Sequence, residues 1–167
     1  AYEQIRNTIC YAKLNVKIGA THGGITVGED GATHQGLEEI ALMRVIPNMC
    51  LIVPADFEEA KAATIAASEY DGPVYLRLGR DKVETITDYS AKPFEIGKGM
   101  VMADGTDVTI IATGLMSALA LKARAELASK GVSAAVIHLA TIKPLDTKLI
   151  YEYAKKTGAV LTCEEHQ

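Results

Sequence analysis

The chain has no tryptophan, two phenylalanines and three cysteines. So few aromatic side chains offer little from which to build a stacking platform for nucleic-acid bases. Lysine and arginine together number 17 against 21 acidic residues, which gives a formal net charge of −4. Because no basic stripe appears either, we expect no nucleic-acid partner. No apolar run is long enough to span a bilayer, so no membrane partner is expected.

The cysteines Cys10, Cys50 and Cys163 are odd in number, far apart and without the spacing of a metal site. Isolated cysteines of this kind are typical of reduced, mostly buried thiols in a cytoplasmic protein. We therefore predict a cytoplasmic location and no metal ligands in this chain.

Short apolar runs alternate with helical patterns along the 167 residues, which predicts an α/β fold with mostly parallel sheets. Predicted strands cover 16–20, 50–53, 74–78, 95–102, 108–112, 132–139 and 159–163. Predicted helices cover 1–14, 36–44, 56–70, 115–130 and 146–156. Asp104-Gly105 is a hairpin-type dipeptide. The polar stretch from residue 81 to about 95 divides the chain, so we predict two incomplete three-layer αβα domains, 1–85 and 96–167, joined by a linker at 86–95.

Residues 21–36 form the most informative stretch, because they lie between a predicted strand end and a predicted helix start. Ligands bind at this place in open α/β sheets. The stretch contains His22, His34 and Asp30 among five glycines. Imidazoles can bond hydroxyls or anions, and a carboxylate can accept a bond from a substrate hydroxyl. The alternative is an ordinary surface loop with solvated histidines, capped by Thr33.

This stretch resembles the pyrimidine-binding domain of transketolases. The resemblance rests on Thr21-His22, Gly28-Glu29-Asp30-Gly31, Thr33-His34-Gln35, Leu42-Met43-Arg44-Val45-Ile46-Pro47-Asn48 and Pro54-Ala55-Asp56. The second half resembles the transketolase carboxy-terminal domain through Thr141-Ile142-Lys143-Pro144-Leu145-Asp146 and Glu164-Glu165-His166. The chain is most similar to the separately encoded carboxy-terminal half of split bacterial transketolases, with both domains incomplete.

The resemblance implies transfer of a two-carbon ketol unit between sugar phosphates, a reaction of the pentose phosphate pathway. Thiamine diphosphate would supply the carbanion chemistry, and it and Mg²⁺ would be bound by a different domain. The implied partners are an amino-terminal transketolase subunit or domain and a further copy of the chain in a homo-oligomer, as in a dimer. By resemblance, His34 is catalytic and bonds the donor's terminal hydroxyl, Asp30 selects hydroxyl configuration, and His22 and Arg80 bind phosphate. No cofactor-binding residue is assigned.

Three alternatives stay open at this point. A 1-deoxyxylulose-5-phosphate synthase shares much of the central motif, and the beta subunit of 2-oxoacid dehydrogenases is a weaker match. The chain also begins after the place where the family carries its cofactor-activating glutamate, so an inert fragment or dimerisation module is the third alternative. We expect the isolated chain to be inactive. Outside the loop, we predict a packing or salt-bridge role for Arg77 and a hydrogen-bonded core position for His138.

Overall fold

The computed structural model describes residues 1–166, in which two four-stranded sheets carry the fold. The first sheet contains the parallel strands β1 (Lys17–Ala20), β3 (Val74–Arg77) and β2 (Cys50–Ile52), in that spatial order. Its helices are α1 (Tyr2–Gln4), which continues as a π-helical stretch (Ile5–Tyr11), α2 (Glu39–Val45) and α3 (Phe57–Glu69). Asp56 caps α3 by accepting a bond from the Glu59 N–H, as the Asp-x-x-Glu pattern predicts.

Both faces of the first sheet are covered, which explains why its central strands are apolar except for Arg77. Side chains alternate between the faces of a strand. Leu51 and Tyr75 therefore pack with α1 and α2, whereas Ile52 and Leu76 on the opposite face pack with α3.

All strands of the second sheet come from residues beyond 99. One short strand from this half of the chain joins the first sheet instead. The order of the second sheet is β4 (Met100–Ala103), β6 (Ala134–His138), β5 (Val108–Ala112) and β8 (Val160–Cys163), with only β4 antiparallel. Helix α4 (Met116–Ser129) packs on one face and α5 (Thr147–Thr157) on the other. The predicted α/β class with mostly parallel sheets is thus confirmed.

The exception is β7 (Thr141–Lys143), which the sequence analysis missed. It pairs antiparallel with β2, so a strand from the second half of the chain completes the first sheet. The hairpin expected at Asp104-Gly105 is wrong, because β4 and β5 flank β6 instead of pairing with each other. Gly105 is required there for another reason: a Cβ atom would lie 2.2 Å from the carbonyl carbon of Ala134.

The stretch that we predicted as a linker is irregular but is held against the first domain. Asp56 accepts hydrogen bonds from the backbone N–H groups of Ile86 and Thr87, and the Tyr89 hydroxyl donates to Glu59. Phe94 is buried in the core beside α3. Residues 86–95 therefore pack as part of the molecule, and the predicted domain limits stay a prediction. No helix within residues 1–166 is both long and apolar enough to cross a membrane.

Candidate functional site

The loop of residues 21–36 crosses the carboxyl ends of β1 and β3. The Leu78 N–H donates to Ala20 at 2.7 Å, and the Gly23 N–H donates to Leu78 at 3.4 Å, which ties the loop to the sheet. The Gly24 N–H donates to the carbonyl of Gly36 at 2.9 Å and closes the loop on itself. Between these contacts lies a 3₁₀ segment (Ile25–Asp30), interrupted at Gly28 by a φ of 67°. The sequence predicts that α2 begins at residue 36. Because Gly36 takes part in this closure, the helix begins at Glu39 instead.

Two of the predicted substrate residues come together at the end of the 3₁₀ segment. Arg80 Nε lies 3.7 Å from Asp30 Oδ2, and Arg80 Nη2 lies 3.5 Å from Glu29 Oε2. Arg80 Nη1 also donates to the carbonyl of Val27 at 3.1 Å and lies 3.7 Å from Asp81. These ion pairs are longer than a charge-assisted hydrogen bond of about 2.8 Å. The carboxylates therefore hold the guanidinium loosely, and a phosphate must compete with three negative charges for it.

The two loop histidines are exposed and bond only their neighbouring threonines among the residues described. His22 Nδ1 lies 2.9 Å from Thr21 Oγ1, and His34 Nδ1 lies 3.0 Å from Thr33 Oγ1. A β-bridge between Gly23 and Gly36 brings the segments that carry the histidines side by side. The structure does not bring either imidazole into contact with the Asp30–Arg80 pair. In each, the nitrogen Nε2 is left to meet a ligand.

An ion cluster that sequence reasoning missed lies under the start of the loop. Arg77 Nε donates to Glu39 Oε1 at 2.6 Å, and Arg77 Nη1 lies 3.6 Å from Glu165 Oε2. The salt-bridge role predicted for Arg77 is confirmed, but its partners were not predicted. The one signal in the sequence was an arginine inside an otherwise apolar buried strand, because a buried charge requires a partner.

A second buried polar network joins the two halves of the chain. His138 Nε2 lies 2.7 Å from Glu59 Oε2, and His138 Nδ1 lies 2.6 Å from Ser117 Oγ. The predicted hydrogen-bonded core position of His138 is confirmed. Burial and the Glu59 carboxylate raise the pKa of Tyr89, whose hydroxyl donates to Glu59. Ser117 is fully buried, so this serine–histidine–glutamate arrangement is structural and cannot reach a substrate.

The loop of residues 21–36 carries histidine, aspartate and glutamate side chains but no large aromatic ring. No loop residue is aromatic apart from the two histidines, so the loop offers no pocket for a pyrimidine ring. Within residues 1–166, no three His, Cys, Asp or Glu side chains are grouped as metal ligands. Two cavities of about 450 and 520 Å³ are lined by other residues. The four predicted site residues are exposed and line neither of these two cavities, and we assign none to the cofactor.

Comparisons with known proteins agree with this architecture. The family model described as "transketolase, pyrimidine binding domain" matches residues 1–85, and the model described as "transketolase, C-terminal domain" matches residues 97–167. A protein of Methanocaldococcus jannaschii named as a transketolase C-terminal section is 50% identical over 99% of this chain and 52% of its own length. The 1-deoxy-D-xylulose-5-phosphate synthase of Desulforudis audaxviator is 38% identical over 99% of this chain and 26% of its own length.

One solved structure is similar over almost the whole chain. It is described as a split gene transketolase, inactive beta4 tetramer, and superposes with a TM-score of 0.92 at 50% identity. The match covers 99% of this chain and 53% of that one. The chain thus spans about half the length of the first curated relative and of this solved structure.

Proposed function

The chain belongs to the transketolase family, and we propose that it supplies the sugar-binding surface of a thiamine diphosphate-dependent enzyme that transfers two-carbon ketol units between sugar phosphates. The observation that carries the proposal is the open loop over β1 and β3, whose Asp30 lies 3.7 Å from Arg80. Because this surface is open, a second protein domain or subunit is needed to enclose a substrate. We therefore infer an amino-terminal transketolase subunit or domain as partner, and a homo-oligomer such as the inactive tetramer named for the solved relative.

Each loop side chain has a role that its chemistry allows. His34 presents a free imidazole nitrogen to the terminal hydroxyl of the donor ketose and holds it through a hydrogen bond. Asp30 accepts a hydrogen bond from a hydroxyl further along the sugar, and so favours one configuration. Arg80 and His22 bind the phosphate, the guanidinium through two parallel bonds when it releases its loosely held carboxylates.

The cofactor is bound elsewhere in the proposed assembly. When bound, thiamine diphosphate supplies the carbanion chemistry of the ketol transfer. This chain contributes orientation: it fixes hydroxyls and phosphate so that the reacting carbons meet in a productive geometry, an effect that can lower the barrier by several kcal/mol. We place the protein in the cytoplasm as part of this proposal, on the basis of its three unpaired cysteines.

A 1-deoxyxylulose-5-phosphate synthase activity is the second candidate, because a synthase of that name is 38% identical over 99% of the chain. The two activities differ in the unit transferred: the first two carbons of a 1-deoxyketose form an acetyl unit, which a 2-oxoacid such as pyruvate can supply, whereas a ketol unit comes from a ketose phosphate. The loop residues Thr21, His22 and Glu29 favour the transketolase, because they belong to the part of the loop that resembles transketolases and not to the part shared with the synthase.

The test is reconstitution of the natural carboxy-terminal subunit that contains this sequence with its amino-terminal partner, thiamine diphosphate and Mg²⁺. Product formation is measured with a ketose phosphate and an aldose phosphate, and separately with pyruvate and an aldose phosphate. We expect two-carbon transfer from the ketose phosphate only. The variant Asp30→Ala, compared with the loop control Gln35→Ala, should lose discrimination between donors that differ in hydroxyl configuration.

Turnover of pyruvate without turnover of ketose phosphates would replace the proposed reaction by the synthase reaction. A correctly assembled complex that turns over neither donor would overturn the enzymatic reading in favour of an inert dimerisation module.

A further inference from the structure

The ion cluster of Glu39, Arg77 and Glu165 is unusual for its burial. The side chains of Arg77 and Glu165 are 4% and 6% exposed, and that of Glu39 is 19% exposed. Two carboxylates surround one guanidinium, so the cluster carries a net negative charge when all three groups are ionised. A buried ion pair contributes little net stability, because desolvation offsets the attraction. The cluster therefore calls for a role other than stabilising the core.

The cluster also has unused hydrogen-bonding capacity. Among the residues described, Glu39 Oε2 and Arg77 Nη2 are buried and accept or donate no hydrogen bond. Buried polar atoms are nearly always satisfied, and those that are not require an explanation. Pairing within the cluster is therefore incomplete, and these two atoms can still bond a further group.

The cluster contacts the loop of residues 21–36 at Thr26 and at the two glycines Gly23 and Gly24. Glu165 Oε1 accepts from the Thr26 N–H at 3.2 Å and from the Thr26 hydroxyl at 2.8 Å. Gly23 and Gly24 lie directly on the cluster. A Cβ atom at Gly24 would stand 1.9 Å from Glu165 Oε1, and one at Gly23 would stand 2.6 Å from Glu39 Oε1. The paired glycines therefore let the backbone approach the ions closely.

Charged groups near the end of β3 thus contact the 3₁₀ segment at two places. Arg77, the last residue of β3, and its partner Glu165 hold the beginning at Thr26. Arg80, three residues further on, donates to the carbonyl of Val27 in the middle of the segment and lies 3.7 Å from the carboxylate of Asp30 at its end. Glu165 follows β8 of the second sheet, so the second half of the chain contributes directly to the shape of the loop.

We propose that Glu165 is a positioning residue that, together with Arg77, sets the backbone of the loop carrying Asp30 and so places Asp30 for substrate. The role in catalysis rests on the proposed function, whereas the hold on the loop does not. A carboxylate of the second half thereby couples that half to the sugar-binding surface of the first.

The experiment measures loop order and turnover separately. Amide hydrogen exchange at Thr26 is followed in the natural subunit, and kcat and KM are measured for the assembled enzyme. The variants are Glu165→Ala, Glu165→Gln and the control Glu164→Ala, which changes the exposed neighbouring carboxylate. Glutamine keeps an amide oxygen that can accept from Thr26, whereas alanine removes every contact.

We expect Glu165→Ala to speed exchange at Thr26 by about 10-fold or more, with Glu165→Gln within about 3-fold of the parent and Glu164→Ala unchanged. The ratio kcat/KM should follow the same order, with a loss of roughly 10- to 100-fold for Glu165→Ala, since a misplacement of about 1 Å can cost about 100-fold. A merely structural residue would lower the melting temperature without changing kcat of the folded enzyme.

A second pair of variants approaches the contact from the loop. Thr26→Val removes the hydroxyl without changing its shape, and Thr26→Ser keeps it, so only Thr26→Val should lose activity. Unchanged exchange at Thr26 in Glu165→Ala would show that the carboxylate does not hold the loop and would overturn the proposal. Faster exchange with unchanged kcat/KM would overturn its positioning role. If the assembled parent enzyme transfers no ketol unit, the proposed function fails, while the exchange data still decide whether Glu165 holds the loop.

Discussion

Replacement of Asp56 by asparagine should destabilise the fold strongly although it preserves the shape of the side chain. Asp56 is 4% exposed and accepts four hydrogen bonds. Oδ1 accepts from the Glu59 N–H at 2.9 Å and the Thr87 hydroxyl at 2.7 Å. Oδ2 accepts from the N–H groups of Ile86 and Thr87 at 2.7 and 2.8 Å. An asparagine turns one of these acceptors into a donor.

The least costly orientation of the asparagine can be worked out from these contacts. Its oxygen would keep the two bonds from Ile86 and Thr87, and the Thr87 hydroxyl can rotate to accept from the new NH₂ group. The Glu59 N–H is then left without an acceptor at the start of α3, which costs about 1–3 kcal/mol. Two charge-assisted bonds also become neutral, at a cost of about 1 kcal/mol each. The total is about 3–5 kcal/mol, or roughly 6–20 °C in melting temperature for a chain of this size.

The pH dependence supplies a second signature. Burial raises the pKa of Asp56, but the hydrogen bonds from Glu59, Ile86 and Thr87 outweigh burial and hold it below its ordinary value of 3.8. A carboxyl with a lowered folded-state pKa stabilises the fold above its unfolded-state pKa, and loses that contribution as the pH falls through its folded-state pKa. The stability gap between parent and Asp56→Asn should therefore be full at pH 7 and narrow below about pH 3.8.

Thermal unfolding at several pH values measures both effects, with Asp88→Asn as the matched control. Asp88 is an exposed aspartate in the same segment and accepts only a local bond from Ser90. The control makes the same change of charge and should unfold close to the parent. An Asp56→Asn protein as stable as Asp88→Asn at pH 7, or a gap that stays constant into acid, would refute the assignment of four accepted bonds.

Four further outcomes are expected. His34→Ala in the assembled enzyme should lower kcat by about 100-fold with little change in cofactor affinity, because one positioned donor is lost; unchanged turnover at saturating donor would contradict its role. Arg80→Ala should weaken use of phosphorylated acceptors by about 10- to 100-fold, from a contact of about 1.5–3 kcal/mol, and should spare an unphosphorylated acceptor; equal losses would exclude a phosphate contact. Gly24→Ala should unfold at a clearly lower temperature than Gly79→Ala, since a Cβ at Gly24 meets Glu165 and one at Gly79 meets nothing within 4 Å; equal melting temperatures would contradict the close approach. Limited proteolysis should cut first within 81–95, and first of all in its exposed part 81–85, whereas preferential cutting inside 36–80 would contradict the predicted boundary.

Much of the fold was predictable because its signals are local. The strand that begins at Val74 is apolar up to Arg77, since α1 and α2 cover one face of its sheet and α3 the other. The end of α4 is marked by Gly131, which has a φ of 79° and follows the helix as a C-cap glycine should. Patterns of this kind depend on neighbours in sequence and can be read without the tertiary structure.

The features that escaped prediction depend on partners remote in sequence. Strand β7 has three residues and is followed by Pro144, so it is too short to show an alternating pattern of apolar and polar residues. It is a strand because it pairs with Leu51 and Ile52 at the free edge of β2. The partners of Arg77 come from α2 and from the residues after β8, which the sequence does not place near each other. For the site, likewise, the sequence indicated the loop but not the charged side chains of Arg77 and Glu165 that contact it.

The two halves of the chain meet through two buried polar contacts. Glu59 of the first half bonds His138 of the second, and Arg77 of the first half pairs with Glu165 of the second. Loss of Glu165 would leave the Arg77 guanidinium buried with less compensation, and loss of Glu59 or His138 would leave the other side chain without its buried hydrogen bond; either change costs more than the intact contact contributes. Such contacts add little net stability, but they penalise any other arrangement of the two halves. Because Glu165 also bonds Thr26, the arrangement that they enforce extends to the loop that carries Asp30. Under the proposed function, the second half would shape the sugar-binding surface through the bond between Glu165 and Thr26.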